Sequence, residues 1–194
     1  MQRSLTVCLL LLGAVQGISA CAQAMEQVEA GQFDFAGKTL PYKIRRLPLS
    51  AFPELPAPVR YALEERHCLV PQTFQAHRPE NVIHGDFWQR GSLDWAVLCS
   101  HGGTSSLLVF RGNALGLPIE LENAKDVDRL QVSLKGTLGF AWGLDVAEPQ
   151  LVQRVAGSQS ASYDHDGIQV SIVDRYLEIR YNQNGTWLQI EGAE

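Results

Sequence analysis

The sequence lacks most of the patterns by which an enzyme announces itself. It has no His-Glu-x-x-His pair, no Gly-x-Ser-x-Gly elbow, no phosphate loop and no dinucleotide fingerprint. No second Cys or His pair stands at zinc-ligand spacing, so neither a metal nor a cofactor is expected. Positive charge is also scarce: 16 Lys and Arg face 21 Asp and Glu, a net charge of −5. That balance argues against nucleic acid and anionic lipid surfaces as partners. Only one long apolar run occurs, Leu5 to Val15, and it is too short to span a bilayer. No repeat recurs at a fixed period, which excludes a complete propeller.

What is present begins with an export segment. Met1-Gln2-Arg3 supplies a positive start, the apolar run follows, and small residues come next, as in a secretory signal. Ile18-Ser19-Ala20-Cys21 fits a lipobox, which would cleave after residue 20 and lipidate Cys21; Ala22-Gln23-Ala24 fits ordinary signal cleavage instead. The lipobox is the favoured reading, because a cysteine at that position has no other evident use. It places the protein in the periplasm, anchored to the outer membrane by lipid, with residues 21–31 as a tether and 32–194 as a single domain. Any membrane attachment then rests on Cys21 alone.

Of the four cysteines, Cys8 lies in the signal and Cys21 is the lipid site, which leaves Cys68 and Cys99. In an oxidising envelope two such cysteines are expected to pair. Closing a loop of that length contributes about 3–4 kcal/mol in the chain-entropy model.

The remaining pattern is mainly β. Gln32 to Leu47 alternates as a hairpin turning at Ala36-Gly37, and Pro58 to Arg66 is a short helix burying Val59 and Leu63. Trp95–Cys99 and Ser105–Phe110 pair across His101-Gly102-Gly103-Thr104. From Leu138 to Val146 large apolar residues alternate with small ones, so another segment is expected to pack closely on Gly139 and Gly143. Glu148 to Gly157 reads as one or two helical turns, and 168–190 as a three-strand meander. The expected fold is an antiparallel sandwich or partial propeller-like sheet of about eight strands with one short helix.

Gly85-Asp86-Phe87, Gly91 and Leu93-Asp94, followed by an apolar strand, resemble the calcium loops of FG-GAP and VCBS repeats. Two ligand positions of that loop are here Trp88 and Arg90, which leaves Asp86 and Asp94 as the only carboxylates. A guanidinium between two carboxylates suggests that Arg90 replaces the ion, bridging Asp86 and Asp94 to hold the turn. Over a longer span, Cys68-Leu69-Val70-Pro71-Gln72, Asn81 to Phe87, Asp94 to Cys99, Asp164 to Ile168 and Gly185 to Gln189 resemble a family of uncharacterised exported bacterial proteins. That likeness implies a fold unit and no chemistry.

Two histidine–carboxylate neighbours, His84 with Asp86 and His165 with Asp166, are the only candidates for acid–base work. Three of the four tryptophans fall in apolar strand patterns. Trp88 sits on a turn among polar neighbours, and is the expected partner contact. The leading expectation is a non-catalytic envelope protein that binds a partner protein or cell-wall component. A small envelope hydrolase using either histidine pair, and a purely structural module, are the competing readings.

Overall fold

The structure is a computed structural model that describes residues 25–112, 117–157 and 162–191. The signal segment and Cys21 lie outside the described residues. The chain is mainly β, as its alternation implies, with thirteen strands in three sheets and two α-helices among the described residues. No sheet closes into a barrel.

The first sheet holds β1 (Gln27–Phe35), β2 (Lys38–Leu47), β9 (Leu138–Phe140) and β8 (Leu130–Val132) in that order, with β3 (Val70–Gln72) also pairing with β2. The second runs β4 (Val82–Gly85), β5 (Asp94–His101), β6 (Thr104–Phe110), β7 (Ile119–Lys125). The third runs β10 (Trp142–Ala147), β11 (Gly167–Ile172), β12 (Tyr176–Gln183), β13 (Thr186–Glu191). Pairing is antiparallel except where β9 meets β2.

Three departures from the sequence reading have physical causes. The count exceeds eight mainly because β3, β4, β8 and β9 are only three or four residues long, too short to display a period. The alternating run after Leu138 is shared by two sheets: β9 ends at Phe140 and β10 starts at Trp142, with Ala141 between them. The Ala141 amide bonds Arg129 O at 2.8 Å while its carbonyl accepts from Val173 at 2.9 Å, so this one residue links the first and third sheets. Lastly, the segment assigned to a tether is partly strand, since β1 pairs with β2 from Gln27↔Arg46 onward.

The strand β5 shows why the core divides. It is buried on both faces over Asp94–Ser100. Ala96 and Leu98 point into the central core with Ile44, Leu107, Phe140 and Trp142. Trp95, Val97 and Cys99 point the other way, under α1 (Ala57–Glu64) with its buried Val59 and Leu63. Alternation in a strand thus feeds two cores at once. A third cluster lies where α2 (Pro149–Ala156) sets Val152 against Ile179 and Tyr181 of β12. Gly157 ends α2 in the left-handed region, φ 62°, where a side chain would be strained.

Cys99 on the outward face of β5 meets Cys68 just after α1, and the two form a disulfide with Cα atoms 5.1 Å apart. The expected close approach to the glycines also occurs. A Cβ at Gly139 would lie 2.4 Å from Phe74 Cβ, and one at Gly143 would lie 3.1 Å from Ser171 Oγ. No helix among the described residues is long and apolar enough to cross a membrane.

Candidate functional site

The turn joining β4 to β5 is held by its own backbone. Asp94, 0% exposed, accepts the Trp88 amide at 2.6 Å and the Ser92 hydroxyl at 2.5 Å on Oδ2, and the Gly112 amide at 2.8 Å on Oδ1. Asp86 accepts the Gly91 amide at 2.7 Å. Gly91 has φ 79°, the left-handed backbone that swings its N–H round to that carboxylate. The bridging role expected of Arg90 is therefore corrected. Among the described residues Arg90 forms no ion pair, and it is exposed at the tip while amide groups occupy the carboxylates it was to bridge. The Trp88 and Gly91 N–H groups win because they lie within the turn already and lose no side-chain entropy on bonding.

Trp88 is half-buried rather than free. The Arg111 guanidinium lies over its ring, 3.8 Å from the centroid, and Trp187 meets its edge with centroids 6.3 Å apart. Across the gap the β12–β13 hairpin tip comes close: a Cβ on Gly185 would lie 4.0 Å from the Trp88 ring. The Asp86 amide donates to Asp166 Oδ2 at 3.0 Å, which ties the turn to the segment leading into β11.

These contacts bring some sequence candidates together and separate others. His165 is 7% exposed and stacks on Tyr181, centroids 4.3 Å apart. Its Nδ1 faces Asp166 O at 3.0 Å and its Nε2 faces Asn182 O at 2.9 Å. Both ring nitrogens are thus engaged by backbone carbonyls, and the Asp166 carboxylate is turned to Asp86 instead. His84 is exposed on β4 and lies against Trp95, centroids 5.1 Å apart, while the Asp86 carboxylate serves the Gly91 amide. The expected pairing of His84 with Asp86 is not formed.

Around His165 a polar cleft of about 470 Å³ opens between the 88–90 turn and the β12–β13 tip. Gln89, Arg90, Asp164, Tyr181, Gln183 and Asn184 are among its walls. At its base Asn182 is 1% exposed; Oδ1 accepts the Gly185 amide at 3.0 Å, and Nδ2 is buried without a hydrogen-bond partner among the described residues.

A second polar cluster escaped the sequence reading. Asp126, 1% exposed, accepts the hydroxyls of Ser100 at 2.7 Å and Ser105 at 2.6 Å and pairs with the guanidinium of Arg46. Arg46 also reaches Glu29 at 2.8 Å, and the Tyr42 hydroxyl donates to Glu29 at 2.7 Å. Burial works against the charge on Arg46, but its bonds to Asp126 and Glu29 outweigh that and hold it above its usual value. Tyr42 and then Arg46, against some burial, hold Glu29 below the usual carboxylate range. An open cleft of about 750 Å³ lies beside this cluster, with His67 and His101 on its wall, ring centroids 5.7 Å apart. Arg46 and Asp126 are 80 residues apart, and the stretch containing Asp126 reads in sequence only as a break between strands. No local signal could have paired them.

Among the described residues no group of three or more His, Cys, Asp or Glu side chains is arranged to hold a metal ion. Comparison with protein-family models, curated proteins and solved structures finds no match for the chain.

Proposed function

We propose that this is an exported, non-catalytic binding protein of the bacterial envelope, taking a cell-wall component or partner protein at the cleft beside the 88–90 turn. One observation carries the reading. His165, a titratable side chain on the wall of that cleft, has both ring nitrogens on backbone carbonyls, and neither nitrogen bonds a hydroxyl or thiol among the described residues, as a nucleophile's would. A residue held in this way orders the cleft rather than moving protons.

Export is supported by the Cys68–Cys99 disulfide, which persists in oxidising compartments, and by the N-terminal signal pattern. Attachment to the outer membrane through a lipid on Cys21 belongs to the same proposal. Affinity capture of the full chain from solubilised envelopes tests it, and the expected result is cell-wall material or a partner protein retained in fixed proportion. Hydrolysis of an envelope polymer that is lost in both His84→Gln and His165→Gln would overturn it.

A further inference from the structure

Resting on that binding reading, we infer that the cleft between the 88–90 turn and the β12–β13 tip is a site for a neutral saccharide of one or two rings. The chemistry of the walls selects the class. Gln89, Gln183 and Asn184 present side-chain amides, each with donor and acceptor in one group, as a sugar hydroxyl also has. Asp164 adds an acceptor, held in place by the buried Tyr181 hydroxyl, which donates to its Oδ1 at 3.4 Å and accepts its amide at 3.3 Å. Arg90 is the one cation and Asp164 the one exposed acid among these walls, so their charges offset and the cleft favours neither anion nor cation. An apolar ligand would leave this array of amides and charges without partners.

The floor of the cleft is closed: Asn182 is 1% exposed and its Nδ2 is out of reach of solvent, and so of a ligand oxygen of similar size, which leaves recognition to the exposed Gln89, Gln183, Asn184 and Asp164. The site is also built on firm supports. The hairpin is pinned by Asn182 and His165, and the opposing turn by Asp86 and Asp94, so the backbone needs little ordering and the cost of binding falls on the exposed Gln89, Gln183 and Asn184 side chains. Trp88 serves as a rim, since Arg111 already covers a face of its ring.

Titration of the full chain with the disaccharide of N-acetylglucosamine and with cellobiose, followed by backbone amide shifts, tests the inference. Saturable shifts at low millimolar concentration, gathered at Gln89, Arg90, Asn184 and Gly185, are expected. Gln183→Ala leaves the β12–β13 backbone pairing in place, and Asp164→Asn keeps an acceptor for Tyr181, so both should fold. Each should weaken binding about tenfold, the effect of one lost hydrogen bond of about 1.4 kcal/mol. An absence of shifts with both sugars, shifts gathered elsewhere, or an affinity in both variants equal to that of the natural chain overturns the inference. If neither sugar binds but envelope capture recovers a protein partner, the saccharide falls and the binding reading stands. If a sugar binds and is cleaved, the saccharide stands and the non-catalytic reading falls.

Discussion

Asp94 and Asp126 are both carboxylates with almost no exposure, and the chain satisfies them in opposite ways. Asp94 is closed off mainly by its own turn, through the Trp88 amide six residues away and the Ser92 hydroxyl two away, with the Gly112 amide joining from 18 residues on. Asp126 is closed off from afar, by Ser100, Ser105 and the guanidinium of Arg46 on another sheet. The local solution shapes one turn and hence one wall of the cleft. The distant one ties the first and second sheets together. A guanidinium was expected in the turn, and the molecule uses one instead at Asp126, which accepts no backbone amide among the described residues.

The comparison is broken hardest at Asp126. Asp126→Ala leaves Arg46 buried with only the half-exposed Glu29 opposite, and should cost about 4 kcal/mol in urea unfolding. Replacing both partners by apolar residues, Arg46→Met with Asp126→Leu, should recover much of that loss; a double variant no better than Asp126→Ala would show that the hydroxyls, rather than the ion pair, dominate. Next comes the disulfide, one residue from Ser100 on β5. Cys68→Ala with Cys99→Ala should lower stability by about 3 kcal/mol, read in the same unfolding experiment. Asp94→Asn puts an amide where three donors converge, and should cost about 2 kcal/mol while leaving the sheets paired.

The same division separates what sequence can disclose from what it cannot. The disulfide followed from counting cysteines, α2 from Pro149 and Gly157, and a close approach to Gly139, though not Phe74 as the residue that makes it, from a strand with one small face. Each depends on residues near in sequence or on simple elimination. The Asp86–Asp94 turn was legible as a turn, but its donors were not, because backbone amides carry no letter in a sequence. Arg46 with Asp126, and Asn182 with His165, depend on which strands become neighbours. The site was thus half visible: Trp88, Arg90 and His165 were singled out separately, and nothing local indicated that the β12–β13 tip would close the cleft over them.

Two further acids give the comparison a pH reading. Burial pushes the Glu178 carboxyl up, with Arg180 opposing and Glu122 and Glu191 adding to it. Glu29 is displaced the other way. An acid raised in the folded state favours folding while protonated, and that contribution disappears as pH rises through its folded value. Glu178→Gln, neutral throughout, should therefore gain Tm relative to the natural chain as pH rises above the ordinary carboxylate range. Glu29→Gln should show the reverse sign, its deficit largest near neutrality and closing as pH falls below that range. Parallel curves for the two variants would mean that these environments do not differ as their partners indicate.

The smallest effect is expected at Arg90. Its side chain is exposed and makes no ion pair among the described residues, so Arg90→Ala should change stability by less than about 0.5 kcal/mol. Arg90→Asp restores an acid to a loop that resembles a calcium turn, yet it should melt at the same temperature with and without calcium. The Asp94 oxygens are already committed to Trp88, Ser92 and Gly112, and Asp86 Oδ2 to Gly91, so an ion would have to displace backbone donors to enter. A melting temperature that climbs with calcium in Arg90→Asp would show instead that the amides yield readily. The turn would then be an ion site that a single arginine keeps closed, and the contrast between Asp94 and Asp126 would be one of occupancy rather than of design.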